Sequence, residues 1–162
     1  MPKILILFAG QNTTLVDALA DGARAVRFSE VEVRRASPGD DATSGAYEML
    51  AGVEELVPYD AIVLGLPCAS EVLDVELRQL LGELASVLPK GAIQNKIGSA
   101  FITNVEAAAG DVWAALTVMG DIGMLIVAPE GTDAEAATGL GGRVAQVAAW
   151  IAHVRSHHHH AH

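Results

Sequence analysis

Short apolar runs alternate with amphipathic stretches along this 162-residue chain. The apolar runs have the length of buried strands, and the stretches between them repeat apolar residues at helical spacing. Apolar strands that are separated by helices form a parallel sheet with helices packed on both faces. The pattern therefore predicts an α/β fold of βαβαβαβαβα order, a doubly wound five-stranded parallel sheet of strand order 2-1-3-4-5 in three layers.

The boundaries of these elements follow from periodicity and from the proline and glycine residues between them. Strands are predicted at Lys3–Phe8, Val31–Ala36, Ala61–Leu66, Ile97–Thr103 and Met124–Ala128. Helices are predicted at Asn12–Arg27, Ala46–Leu56, Val72–Leu88, Ala107–Met119 and Arg143–His153. Trp113 and Trp150 fall at the core spacing of their helices, which indicates packing residues.

The same pattern shows no linker and no repeat, so residues 1–154 are expected to form a single domain. The segment 155–162, which ends in a run of histidines, is typical of an expression tag. We therefore leave its histidines out of any metal site, and no metal ligands are predicted elsewhere.

Composition limits the class of partner. The formal net charge is −10 and no cluster of basic residues occurs, which argues against nucleic acid and anionic membranes as partners. Cys68 is the only cysteine, which fits a reducing compartment. The sequence has neither the pattern of a signal peptide nor an apolar run that approaches the ~18 residues of a membrane span. A cytoplasmic protein is expected.

The loops that follow strands one, three and four form the predicted site, because ligands of doubly wound sheets bind at the carboxyl ends of the strands. The candidate binding residues are Gly10, Gln11, Asn12, Thr13, Thr14, Pro67, Cys68, Ala69, Ser70, Thr103, Asn104 and Val105. No side chain is predicted to act as a catalytic acid, base or nucleophile.

The first of these loops joins a buried strand to the start of a helix, which makes it a candidate anion site. Backbone N–H groups at a helix N-terminus have no intrahelical partner, and the helix dipole adds partial positive charge there. Gly10 permits close backbone approach, and Asn12, Thr13 and Thr14 offer side-chain donors. Asn12 or Thr13 could equally be the cap of this helix.

The other two loops also allow two interpretations each. The small residues of Pro67–Ser70 leave room for a flat ring, or they form an ordinary turn with Ser70 as a helix cap. Cys68 is either a reactive thiol or a small buried apolar residue. Thr103 and Asn104 either bond the edge of a ligand or complete a turn. The motifs GxGxxG after a strand, GxxxxGK[ST] and GxSxG are absent.

Several longer stretches carry a resemblance to a known family. They are Tyr59-Asp-Ala-Ile-Val-Leu-Gly-Leu-Pro67, Leu77-Arg-Gln-Leu-Leu81, Lys90-Gly-Ala-Ile-Gln-Asn-Lys96 and Gly123-Met-Leu-Ile-Val127. They resemble YDAIIFGTP, MRTFL, SGALYGK and GMVIV of the WrbA-type NAD(P)H:quinone oxidoreductases, in the flavodoxin-like superfamily. The resemblance implies a flavodoxin-like fold that binds FMN, with NAD(P)H as co-substrate, a quinone or other small redox partner as acceptor, and a homo-oligomeric assembly.

That resemblance also implies a placement for the cofactor. The phosphate of FMN would lie on Gly10–Thr14, and the ring would lie between Pro67–Ser70 and Thr103–Val105. The flavin would supply the chemistry, and the protein would supply orientation and electrostatics.

The cofactor loops depart from the family pattern. Gly10 and Thr14 match the family's SxxGHxxT turn, but about three residues before Gly10 are missing. The family's PTRFG corresponds to Pro67-Cys-Ala-Ser-Glu71, and its glycine-rich STGTGGG corresponds to the shorter stretch 102–109. Two hypotheses therefore stand: an FMN-dependent redox protein, and a flavodoxin-fold module that binds no flavin and serves as a binding or interaction domain.

Overall fold

A five-stranded parallel sheet forms the centre of the molecule. The computed structural model describes residues 1–9, 13–36, 47–50, 52–66, 79–80, 82–83, 86, 91–102 and 109–160. The strands are β1 (Lys3–Phe8), β2 (Glu30–Arg35), β3 (Ala61–Leu66), β4 (Ile97–Ile102) and β5 (Leu125–Ile126). Their order is β2-β1-β3-β4-β5, and every neighbouring pair is parallel. The predicted doubly wound order is confirmed.

Helices cover both faces of this sheet and complete the three layers. They are α1 (Thr14–Arg24), α2 (Ala109–Asp121) and α3 (Ala134–His160). The first and last helices pack on one face of the sheet, and α2 packs on the other together with the 3-10 turn Val53–Leu56. Most of the predicted helix 72–88 lies outside the described residues, but residues 79, 80, 82, 83 and 86 within it are helical.

The central strands are continuous apolar segments because both of their faces are covered. Every residue of β3 and β4 is buried, and so is every residue of β1 after Lys3. Successive side chains point to opposite faces, so the strands feed two separate cores. Among the side chains with almost no exposed surface are Phe8 and Phe101. Both lie on the face that α1 and α3 cover.

The helices α1 and α3 approach each other at two glycines. An ideal Cβ on Gly141 would lie 2.0 Å from the carbonyl oxygen of Leu19, and one on Gly22 would lie 2.0 Å from that of Thr138. Real Cβ atoms essentially never come within 3.0 Å of another heavy atom. The close contact of these backbones therefore depends on both glycines, and it fixes α1 against the sheet.

Some local predictions were wrong. The segment 46–56 was predicted to be a helix, but Met49 forms a parallel bridge with Arg35, and among the described residues of the segment only Val53–Leu56 is helical, as a 3-10 turn. Pairing with the edge of the sheet outweighs the local helical pattern here. The last helix begins at Ala134 rather than Arg143 and continues to His160, through most of the predicted tag.

The prediction that both tryptophans pack in the core was also wrong. The side chain of Trp113 on α2 is 60% exposed, and that of Trp150 on α3 is 61% exposed. The core-facing stripe of α2 is formed instead by Val112, Ala115, Leu116 and Met119. Helical periodicity gives the relative angle of residues around a helix but not which stripe faces the sheet.

Candidate functional site at the carboxyl edge of the sheet

The predicted site lies where β1, β3 and β4 end, at Phe8, Leu66 and Ile102. In a parallel sheet these carboxyl ends share one edge, so the topology brings together the three strand ends from which the predicted loops begin. Ten of the predicted binding residues lie outside the described residues: Gly10, Gln11, Asn12, Pro67, Cys68, Ala69, Ser70, Thr103, Asn104 and Val105. Their roles stay predictions.

Thr13 and Thr14 are described, and they form the start of α1. Thr13 is the N-cap residue, and its carbonyl oxygen accepts the first intrahelical hydrogen bond from Asp17 N at 2.8 Å. The Thr13 side chain makes no capping hydrogen bond. Thr13 therefore occupies the N-cap position, as one of the two interpretations expected, but its hydroxyl group makes no capping hydrogen bond.

The strand that leads into this turn is held rigidly at its end. Ala9 is buried, and its N–H donates to the carbonyl oxygen of Gly65 on β3 at 3.2 Å. On the other side of β1, Ala36 N donates to the Phe8 carbonyl oxygen at 2.8 Å. The end of β1 is therefore hydrogen-bonded on both sides, at Phe8 and at Ala9.

A buried cation lies beside this turn, and the sequence reasoning missed it. Arg35 is the last residue of β2, only 3% of its surface is exposed, and it pairs in register with Phe8. Its guanidinium carbon lies 5.6 Å from the centroid of the Phe8 ring, within the range of a cation–π interaction. The signal in the sequence was the Arg34-Arg35 pair at the end of a strand that otherwise alternates apolar and acidic residues.

The segment 47–50 holds Arg35 in place from the outer side of β2. Arg35 N donates to the carbonyl oxygen of Glu48 at 2.9 Å, and Leu50 N donates to that of Arg35 at 2.8 Å. This bridge also places Tyr47 over the end of β1, with its ring edge-on to Phe8 at a centroid distance of 5.5 Å. Two aromatic rings and one guanidinium group thus lie at the carboxyl edge, next to the start of α1.

Tyr47 is joined to α1 by a hydrogen bond. Its hydroxyl donates to Oδ1 of Asp17, in the first turn of the helix, at 2.5 Å. This hydrogen bond, together with burial and the negative charge of Asp17, raises the pKa of Tyr47 above its usual value. Tyr47 therefore stays neutral, and its hydroxyl stays a donor, across the physiological pH range.

Metal binding and membrane insertion find no support in the described part of the chain. No group of three or more His, Cys, Asp or Glu residues in that part could hold a metal ion. No helix found there is long and apolar enough to cross a membrane.

Comparison with known proteins agrees with this geometry. No protein-family model matches the chain. An NAD(P)H dehydrogenase (quinone) of Bradyrhizobium sp. is 28% identical over 141 residues, which cover 78% of this chain and 70% of that protein. The crystal structure of a WrbA-like flavodoxin from Agrobacterium tumefaciens superposes with a TM-score of 0.64 at 18% identity, covering 93% of this chain and 99% of that one. The chain has a flavodoxin-like fold and is similar to WrbA-like proteins.

A second solved structure supports the same fold. The two-electron reduced flavodoxin of Megasphaera elsdenii superposes on this chain with a TM-score of 0.60 at 14% identity. That superposition covers 88% of this chain and 98% of the flavodoxin. The five-stranded sheet described above is therefore a flavodoxin-like sheet.

Proposed function

We propose that this flavodoxin-like protein binds FMN at the carboxyl edge of its sheet and uses NAD(P)H to reduce a quinone or another small acceptor. The proposal is supported by the curated relative at 28% identity, which is named for the same reaction. The structural observation that carries it is the start of α1, where the Thr13 hydroxyl is not engaged in capping.

The described residues have the chemistry that a doubly negative phosphate ester requires. The first turn of α1 directs N–H groups and the positive end of the helix dipole toward the site. The Thr13 hydroxyl adds a neutral donor, and Arg35 adds a buried positive charge at the adjoining strand end. Hydrogen bonds to a charged group contribute about 1.5–3 kcal/mol each, so a few donors of this kind hold a phosphate firmly.

FMN, when bound, would supply the hydride and electron chemistry of the reaction. This chain would bind and orient the FMN. Thr13 and the predicted residues Gly10, Gln11, Asn12 and Thr14 would hold the phosphate, and Pro67–Ser70 and Thr103–Val105 would contact the ring. Arg35 and Tyr47, fixed by the segment 47–50, would keep the β1–β2 side of the site rigid. No side chain is assigned an acid or base role.

Flavin binding is tested most directly by absorbance and fluorescence. The purified chain is incubated with excess FMN, separated from free flavin and scanned for the flavin bands, while quenching of FMN fluorescence is titrated in parallel. We expect retained flavin bands and saturable quenching. A colourless protein that leaves FMN fluorescence unchanged refutes the proposal and leaves the flavin-free binding module as the function.

The contribution of the α1 N-terminus is tested by a matched pair of threonine variants. Thr13→Val removes the hydroxyl at the proposed phosphate site, and FMN affinity is expected to fall about tenfold or more, as for loss of one bond to a charged group. Thr138→Val is the control, because the Thr138 hydroxyl is exposed on α3 and bonds only its own helix, at Ala134 O. Equal affinities in the two variants would contradict this placement.

Turnover is tested with the flavin-loaded protein. Oxidation of NADH and of NADPH is followed by absorbance with a benzoquinone as acceptor, and quinone-dependent oxidation of either nucleotide is expected. Flavin that binds but is not reduced by either nucleotide refutes the oxidoreductase part of the proposal alone.

A cytoplasmic location without a nucleic-acid partner is proposed as well, supported by the net charge of −10 and the single cysteine.

A further inference from the structure

The guanidinium group of Arg35 lies on the face of the sheet that carries the start of α1. Its central carbon is 5.6 Å from the ring centroid of Phe8, whose side chain belongs to the core under α1 and α3. Leu15 and Val16, in the first turn of α1, belong to the same core. A positive charge is therefore held in the sheet layer, close to the helix N-terminus at which the phosphate is proposed to bind.

Burial makes this charge act more strongly than a charge at the surface. Only 3% of Arg35 is exposed, and a guanidinium group stays protonated throughout the pH range of biology. The low dielectric constant of the interior strengthens its electrostatic interactions, and salt screens a buried charge much less than an exposed one. An anion at the start of α1 would therefore interact with Arg35 as well as with the dipole of the helix.

A negative charge in the first turn of α1 makes such a cation useful. Asp17 is the acidic residue of that turn, and because like charges repel, its carboxylate disfavours an anion at the same helix end. Tyr47 connects the two charged groups, since its ring packs edge-on against Phe8 and its hydroxyl donates to Asp17. The positive charge of Arg35 offsets that of Asp17, so the helix end remains favourable for an anion.

The neighbouring arginine has a different environment. Arg34 pairs in register with Leu7, whose side chain belongs to the core on the other face of the sheet. Its guanidinium group donates to Glu55 at 2.8 Å and to Glu32 at 3.4 Å. Two carboxylates therefore compensate the charge of Arg34, and the sheet separates it from α1. Arg34 is a matched control for Arg35.

We propose that Arg35 determines the specificity of the site for a phosphorylated flavin over the same flavin without its phosphate. This inference rests on the proposed function and assigns charge recognition within it to one residue. The first loop is about three residues shorter than the SxxGHxxT turn that it resembles, so fewer N–H and hydroxyl groups reach an anion there. Arg35 compensates for them by charge. Riboflavin, which has the ring of FMN but no phosphate, would not benefit from this charge.

The test compares the affinities of the full chain for FMN and for riboflavin, both measured by quenching of flavin fluorescence. Arg35→Met removes the charge and should lower the FMN affinity about tenfold or more, as expected for one unit charge near a dianion at an effective dielectric constant of about 20. The riboflavin affinity should not change, and Arg34→Met should alter neither. Equal losses for the two flavins in Arg35→Met, or a ratio of affinities that stays at the wild-type value, overturn the proposal.

A second variant and a measurement on the wild type keep this test independent of folding. Arg35→Lys keeps the charge but loses the planar group beside Phe8, so most of the preference for FMN should remain. In the wild type, the ratio of the FMN to the riboflavin affinity should fall less than about threefold between 0.05 and 0.5 M KCl, because the charge is buried. A lysine variant without preference, or a wild-type preference that disappears in high salt, contradicts the role of Arg35.

Inorganic phosphate separates this inference from the proposed function. At constant ionic strength, about 50 mM phosphate should raise the melting temperature of the wild type and of Arg34→Met, but not that of Arg35→Met. A chain that behaves in this way but binds neither flavin refutes FMN binding and supports recognition of the phosphate by Arg35. A chain that binds FMN with the same affinity after Arg35→Met supports the proposed function and overturns the inference.

Discussion

The contact between α1 and α3 is expected to fail when a single methyl group is added at Gly141. Its Cβ would lie 2.0 Å from Leu19 O, 2.9 Å from Leu19 C and 3.1 Å from Ala23 N. All three are backbone atoms of α1, so no side chain can rotate away to make room. For the new atom to reach a separation of 3.0 Å, the helices must part by about 1 Å, which disturbs the packing along their whole contact.

The control lies two residues away on the same helix. A Cβ on Gly139 would meet no heavy atom within 4 Å, so Gly139→Ala should stabilise the protein by about 0.8–1.0 kcal/mol through helix propensity alone. Gly141→Ala gains the same propensity but adds overpacking, which typically costs about 1–3 kcal/mol. With the loss of contacts between the parted helices, the two variants should differ by about 2–4 kcal/mol.

The difference is measured by urea unfolding of both variants and the wild type, followed by circular dichroism. In a chain of this size, a change of 1 kcal/mol in the free energy of unfolding shifts the melting temperature by about 2–4 °C. Thermal unfolding of the two variants should therefore give melting temperatures that differ by about 5–15 °C. A Gly141→Ala protein as stable as Gly139→Ala would show that the helices are not in close contact. Because α1 also carries the proposed phosphate site, we expect Gly141→Ala to weaken FMN binding as well.

Two further predictions concern the region between β2 and β4. Burial and the hydrogen bond to Glu32 raise the pKa of Tyr59 to about 12 from 10.0, so its contribution to stability is complete below pH 10 and is lost as the pH rises toward 12. In urea unfolding, the advantage of the wild type over Tyr59→Phe should therefore shrink across this range, and a constant difference contradicts the assignment. Lys96 Nζ donates to the carbonyl oxygens of Val57 and Tyr59 at 2.7 and 2.5 Å, so Lys96→Met should lose about 1–3 kcal/mol of unfolding free energy. Lys3→Met, at an exposed side chain, should be neutral, and equal stabilities of these two variants would count against the hydrogen bonds.

The central strands could be predicted from the sequence because their pattern reflects their surroundings directly. A strand buried on both faces is apolar throughout, and β1 and β3 occupy Lys3–Phe8 and Ala61–Leu66, as their apolar runs predict. The edge strand alternates acidic and apolar residues, and β2 lies at the edge of the sheet. The carboxyl-edge loops followed from the same topology, although most of their residues lie outside the described part of the chain.

Elements whose structure depends on a distant partner were not predictable in this way. The segment 47–50 is extended because it bonds the end of β2. The local pattern of apolar residues carries no information about that pairing, so it predicted a helix. Arg35 is buried for the same reason, since the strand, the bridge and the Phe8 ring enclose it. Sequence reasoning assigned the first loop its phosphate chemistry but missed the cation beside it, because the Arg34-Arg35 pair does not by itself indicate which arginine is buried.

The sequence by itself determined the order of the strands and helices, because burial on both faces and crossover by a helix leave a distinct pattern of apolar residues. Only the tertiary structure decided which stripe of each helix is covered. The spacing that places Trp113 and Trp150 on regular helical stripes is the same whether a stripe faces the sheet or the solvent. The rotation of each helix is fixed by its contacts, such as Gly141 against Leu19 and Gly120 against Ile126.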